Sequence, residues 1–432
     1  MVTDQQPTKT VRLAYGRDGL LADLPASADV LEPRYGPPLA NPEAVLRAAL
    51  RNPISSAPLR ELVPAGASVG VVICDHTRPF PARQVLPVLL DELSHVDPAL
   101  VTIFVATGTH RCSSDAELLA MLGPDLLATY RVIMQHDAFD RARHTSVGTV
   151  LDSDVPALVE TAFLEQDVRI TTGFIEPHFF AGCSGGPKLV APGLAAIETV
   201  LELHSAARVG HPCATWGVTQ GNPIHDAVRA IGAAVGVSFN LDVTLDRDHA
   251  ITDVFAGALS ASHAVGCAFV RETAMTPVET AYDVVVTTNS GYPLDQNLYQ
   301  SVKGMSAAAQ IVAPGGTIVL ASECSDGLPS QGGYQQLLHA STGPEQFLGR
   351  LGQPGRAPEH DQWEAHVQAL VQRKARVLVK SGGLSPADLE SAWLEPIDDV
   401  AATVAQLVSA YGRHARVAVL PEGPQTIPYI RG

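Results

Sequence analysis

The chain has 432 residues, 46% of them hydrophobic and 17% charged, enough for two globular domains with sizeable cores. Its formal net charge of −16 argues against a nucleic-acid binder or a partner for anionic lipid, because both need clustered Lys and Arg. A small anionic substrate stays compatible with that charge, since one well-placed Arg can dominate a pocket.

The opening segment MVTDQQPTKTVRLAYG lacks the apolar stretch of a secretion signal, and no apolar run approaches the ~20 residues of a membrane helix. The cysteines at 74, 112, 183, 213, 267 and 324 form no CxxC pair, which points away from a zinc ribbon or disulfide framework. A reducing cytoplasm is the expected setting.

Taken along the chain, VGVVIC (69–74) reads as a buried strand that runs into the loop Asp75-His76-Thr77-Arg78-Pro79. A strand-end Arg offers a planar fork suited to a carboxylate or phosphate, and Asp75 could orient it or bind a ribose hydroxyl. A structural Asp–Arg pair closing the loop is the competing reading. ALVTIFVA (99–106) is a second strand, followed by Thr107-Gly108-Thr109-His110-Arg111. His110 is a candidate general acid and base, set against a plain surface histidine. SSDAELLAML then reads as a helix, with Ser114 and Glu117 as a capping box.

DVRITTG (167–173) is a third strand and leads into GFIEPHFFAGCSGGPKLVAPG (173–193). Small residues at Ser184, Gly185 and Gly186 expose backbone N–H groups that can cradle a phosphate. Neither GxxxxGK[ST] nor GxGxxG is present. Lys188 sits in an apolar, Gly/Pro-rich setting where desolvation would favour its nucleophilic form, against a solvated Lys on a turn. His204, in ETVLELHSAARVG, falls on a helix; as a metal ligand it lacks the partner spacing of a zinc site.

YDVVVTT (282–288) and GGTIVLAS (315–322) are further strands, separated by SGYPLDQNLYQSVKG, where Gln300 and Lys303 share one helix face. Strands alternating with helices predict an α/β fold with mainly parallel sheets flanked by helices. Ligand residues are then expected at the carboxyl ends of the strands. RETAMTPVETAYD (271–283) is expected to cross between two domains. The first spans 1–277 and the second 282–395, with the tail 400–432, which includes VAVLPEGPQTIPYI, returning to the first.

Taken in order, DHTRPFP, TGTHR, EPHFFAGCSGGPK, His204 and GYPLDQNLYQSVKG resemble the nickel-dependent lactate racemase family, strongly over about residues 65–310. The resemblance implies an active site in the interdomain cleft and a racemase or epimerase of a small 2-hydroxyacid. It implies a nickel-pincer nucleotide, the nickel complex of pyridinium-3,5-bisthiocarboxylic acid mononucleotide, joined to Lys188. His204 would be the protein's nickel ligand, and His110 and His178 the acid/base pair. Arg78 would hold the substrate carboxylate, with Tyr299, Gln300, Lys303 and Trp363 as further substrate residues. Asp75, Ser184, Gly185 and Gly186 would help to bind the cofactor. Cofactor-synthesis and nickel-insertion enzymes would be functional partners. Short aliphatic substrates such as lactate are favoured over malate or sugar acids. A metal hydrolase ligated by His110, His178 and His204, and a non-catalytic cofactor or metabolite binder, are the readings from other classes.

If Arg78 holds the substrate carboxylate, Arg78→Ala should raise KM sharply. An unchanged KM in steady-state kinetics would remove Arg78 from that role.

Overall fold

The computed structural model describes residues 7–133, 136–151, 155–330, 332–353, 355–412 and 414–431. It divides into two compact units. One comprises Tyr35–His204 and Pro212–Thr273; the other comprises Met1–Arg34, Ser205–His211 and Ala274–Gly432.

The first unit is built on a six-stranded sheet in the order Ile251–Gly257, Phe239–Leu245, Val168–Phe174, Val69–Cys74, Val101–Ala106, Arg131–Ile133. Every pairing is parallel except the one between Phe239–Leu245 and Ile251–Gly257. Val69–Cys74 lies inside the sheet and is buried at every position. Its unbroken apolar run follows from helices covering both faces of a parallel sheet. The expected helix after the second strand is present as Asp115–Thr129, and its Ser114–Glu117 capping box forms. Gly123 leaves helical geometry, with φ 78°, just before Pro124, whose ring and missing N–H interrupt the helix. An antiparallel hairpin, His144–Val150 with Val155–Glu160, was not legible as a motif.

The second unit holds an all-parallel six-stranded sheet in the order Glu395–Pro396, Arg376–Lys380, Val312–Ala321, Tyr282–Thr288, Val417–Leu420, Asp29–Val30. This corrects the expected domain limits. The tail does not return to the first domain: Val417–Leu420 pairs with Tyr282–Thr288, and Ile427–Ile430 pairs with Met275–Val278. Val417–Leu420 is buried throughout, so it needs a neighbour on each side, and the edge of Tyr282–Thr288 supplies one. The N-terminal segment belongs here as well. Val11, Leu13, Ala22 and Leu24, from a hairpin, join Val284, Val319 and Val419 in this unit's core. Among the described residues, no helix is long and apolar enough to cross a membrane.

The helix Leu298–Ala309 runs close over the end of Tyr282–Thr288. Gly304 donates its N–H to Asn289 Oδ1 at 3.0 Å, and a Cβ at Gly304 would stand 2.1 Å from the Thr288 carbonyl oxygen. Gly304→Ala should therefore cost stability on the order of 2 kcal/mol, because backbone must move. A melting temperature equal to the parent's would show that the helix can shift without cost.

Candidate functional site

Parallel pairing places Cys74 opposite Ala106, so two neighbouring strands end at the same level. Asp75 and the loop from Thr107 leave the sheet side by side as a result. Asp75, 2% exposed, accepts a hydrogen bond from His110 Nδ1–H at 2.7 Å through Oδ2. Its Oδ1 accepts from the Thr77 hydroxyl at 2.7 Å and the Thr77 N–H at 3.3 Å. Burial pushes the Asp75 carboxyl up, but the bonds from His110 and Thr77 and the nearby Arg78 charge outweigh it and hold it below its ordinary range. A carboxylate accepts only, so His110 carries its proton on Nδ1 and its lone pair on Nε2. The imidazole is half-exposed, with 45% of the side chain accessible. Arg78 is exposed and acts on Asp75 only through charge, so the loop-closing Asp–Arg pair is not what forms.

His178 reaches its place by a different device. Pro177–His178 forms a short antiparallel pair with Gly182–Cys183. The turn points the N–H groups of Ala181 and Phe180 at His178 Nδ1, at 3.3 and 3.5 Å. Here Nδ1 must accept, so the neutral ring carries its proton on Nε2. The two histidines are thus set in opposite tautomers. Phe180 packs edge-on against both His178 and His204, with ring centroids 4.6 and 5.2 Å apart.

His204 caps the helix Ile197–Leu203 and is buried. Its Nδ1–H donates to the Val200 carbonyl at 2.7 Å, which leaves the lone pair on Nε2. A metal-binding histidine is held in this way. Lys188 lies half-buried on the 3-10 turn Gly186–Leu189. Its backbone is tied at both ends, the N–H to Gly185 O and the carbonyl to Gly193 N–H, each at 3.1 Å. Gly193 O in turn accepts from Gly108 N–H at 2.9 Å, which joins the Lys188 loop to the loop carrying His110.

The Ser-Gly-Gly segment is bonded within the protein. Ser184 Oγ donates to Phe174 O and accepts from Glu176 N–H, both at 2.9 Å, and Gly186 N–H donates to Asp242 Oδ1 at 3.1 Å. These groups close the loop on itself, and the Gly186 N–H faces a carboxylate. The support beneath it had no sequence motif. Asp242 is fully buried in Phe239–Leu245 and also accepts from Asn240 Nδ2 at 2.9 Å. His263 Nε2–H donates to Ser184 O at 2.8 Å and stacks on His225, with centroids 5.6 Å apart. Burial raises Asp242 and lowers His263 and His225, the last to about 3, so both rings are neutral. Gly186 has φ +49°, and a Cβ there would sit 2.6 Å from the His263 ring, so only glycine fits. The one available signal was Asn240 and Asp242 among the apolar residues of the strand Phe239–Leu245.

The other expected residues lie in the second unit, on the helices Leu298–Ala309 and Gln362–Lys374. Lys303 Nζ donates to Gln300 Oε1 at 2.8 Å, as their shared helix face required. Trp363 Nε1–H donates to Tyr299 OH at 3.2 Å, and that hydroxyl donates to Asp361 Oδ1 at 3.4 Å. Beside them, burial pushes the Glu364 carboxyl up to about 8, against the pull of Lys303. Asp361 and Glu364 were not anticipated.

Comparison with known proteins matches residues 15–217 to the lactate racemase N-terminal domain and residues 278–427 to the lactate racemase C-terminal domain. The chain is 34% identical over 423 residues to the lactate racemase of Thermoanaerobacterium thermosaccharolyticum, covering 96% of this chain and 98% of that one. It is 35% identical over 377 residues to the lactate racemase of Lactiplantibacillus plantarum, covering 87% and 88%. The solved lactate racemase apoprotein from T. thermosaccharolyticum superposes with a TM-score of 0.89 at 32% identity, over 98% of this chain and 100% of that one. A protein from Thermotoga maritima shares the fold, with a TM-score of 0.68 at 19% identity, over 92% of this chain and 100% of that one.

The Asp75 pair has a consequence for acid stability. The folded carboxyl lies below the ordinary aspartate value of about 4, so its stabilisation is full above that value and is lost as pH falls through the folded value. Asp75→Asn should lower the melting temperature at pH 7, with the gap closing toward pH 3. A gap that stays constant with pH would mean that the carboxylate charge is not what stabilises.

Proposed function

The chain belongs to the lactate racemase family, and on that premise we propose that it interconverts the enantiomers of lactate or a similarly short 2-hydroxyacid. The observation that carries this reading is the pair of histidines held in opposite tautomers. His110 presents a lone pair on Nε2 and His178 a proton on Nε2.

Taking the C2 proton of a 2-hydroxyacid would build negative charge beside a carboxylate. Removing hydride instead leaves a flat 2-ketoacid with no memory of its face. A nickel-pincer nucleotide, when bound, supplies the acceptor and donor for that hydride. The residues present fit such a group. His204 has its lone pair directed through Nε2 by the bond to Val200, which suits a borderline metal completed by sulfur donors. Lys188 is the amine for covalent attachment, on a turn whose backbone is fixed at both ends.

The chain's own residues handle protons and position. His110 Nε2 takes the hydroxyl proton, and the buried Asp75 carboxylate stabilises the imidazolium that results. The exposed Arg78 holds the substrate carboxylate bidentately. On return, the His110 imidazolium gives that proton back to the ketone oxygen, so both rings end neutral as they began. For the opposite enantiomer His178 does the same proton work, from the tautomer that leaves its Nε2 lone pair open. In the other unit, Lys303 and Gln300 offer a cation and an amide to an anionic ligand.

Substrate size follows from Arg111. Its guanidinium is paired with both Glu117 oxygens, at 2.6 and 2.8 Å. That pairing within the chain supports a monocarboxylate such as lactate over malate.

Protein made alongside the cofactor pathway should carry a nickel-nucleotide adduct by intact mass and racemise L-lactate. Lys188→Ala should lose both. Racemisation by an adduct-free protein would contradict the attachment, and adduct without lactate turnover would move the substrate to another 2-hydroxyacid.

A further inference from the structure

We propose that His136, His144 and Glu160 form a separate, structural site for a zinc-type divalent cation. The three residues are 2%, 4% and 3% exposed, and each offers a ligand atom within 4.8 Å of the others. His144 and Glu160 are direct cross-strand partners at the mouth of the hairpin His144–Val150/Val155–Glu160, so register alone sets their side chains together. His136 lies three residues past the strand Arg131–Ile133 in sequence, and its ring stands edge-on to His144, with centroids 5.1 Å apart.

The donor atoms suit a metal better than they suit one another. His144 Nδ1–H donates to Asp140 O at 2.9 Å, which directs the lone pair to Nε2. That Nε2 is buried and has no hydrogen-bond partner; His136 can give the ion only one nitrogen, and the one that faces Glu160 is Nδ1. Buried nitrogens left without partners are costly and call for a ligand. His136 Nδ1 and Glu160 Oε2 stand 3.4 Å apart, long for a hydrogen bond. Ligands about 2.1 Å from a tetrahedral zinc are separated by roughly that distance. Two imidazoles and one carboxylate are a zinc donor set, and a backbone carbonyl fixing one ring is the usual outer support.

Arg143 contacts the same carboxylate, at 3.2 Å to Oε1 and 3.3 Å to Oε2, from a side chain that is 28% exposed. Its guanidinium is a built-in competitor for the cation and has solvent to move into. The site also braces the catalytic loops. The His136 carbonyl accepts from Thr107 Oγ1 at 3.1 Å, at the root of the His110 loop. The Ala138 carbonyl accepts from Ile197 N–H at 2.8 Å, at the start of the helix that ends at His204.

The test uses untagged full-length protein made without the cofactor pathway, stripped with chelator and titrated with zinc by calorimetry, with elemental analysis of the product. We expect one zinc per chain, retained in His204→Ala, at least ten-fold weaker in His144→Ala and Glu160→Gln, and tighter in Arg143→Ala. Cobalt(II) should give visible absorption in the parent that is lost in Glu160→Gln, a near-isosteric change whose fold is checked by circular dichroism. No zinc in the parent, zinc lost in His204→Ala, or equal affinity in folded Glu160→Gln would each overturn the site.

Discussion

The functional unit depends on one constraint, the parallel register that sets Cys74 opposite Ala106. Because those strands end level, Asp75 and the His110 loop emerge together, and the 2.7 Å bond between them needs no long side-chain reach. Val168–Phe174 lies on the other side of Val69–Cys74 and delivers the loop with His178 and Lys188 to the same edge of the sheet. A parallel sheet buried on both faces keeps these strand ends rigid, and chemistry can then be placed on short loops. The bond from Gly108 N–H to Gly193 O fastens the loops to each other.

Rigidity beneath the lysine loop comes from polar groups in a dry setting. Asp242 and His263 are buried and hold the loop through Gly186 N–H and Ser184 O. Burial drives both toward their neutral forms, which lowers the cost of keeping them from water. A fully satisfied buried network fixes one arrangement, whereas an apolar replacement would fill the space without specifying the loop. The oddly small residues of the loop follow: Gly186 is glycine because His263 occupies the place of a side chain.

Periodicity and strand-end position made much of this legible. The strands at 69–74 and 282–288, the capping box at Ser114 and Glu117, and the shared face of Gln300 and Lys303 all follow from local chemistry that the chain carries in neighbouring residues. What stayed hidden is long-range. Val417–Leu420 is an apolar strand with no mark of which sheet it joins, so its pairing with Tyr282–Thr288 could not be read. Asp242 and His263 are single polar residues whose partners lie far along the chain. The bonds of Ser184 and Gly186 stayed hidden for the same reason, since a small-residue loop looks alike whether its N–H groups face a ligand or a buried Asp. The opposite tautomers of His110 and His178 depend on which atom faces each Nδ1, which spacing does not specify.

In the reaction we propose, hydride leaves C2 and returns to the same carbon, while His110 and His178 move only the hydroxyl proton. The most direct test is to racemise L-[2-²H]lactate in ordinary water with the cofactor-loaded protein and measure deuterium at C2 of the D-lactate formed. Hydride transfer gives near-complete retention, because the label travels as hydride and is never exchangeable with solvent. Washout of the label at the rate of racemisation would mean that a base removes the C2 proton, and would contradict the hydride account.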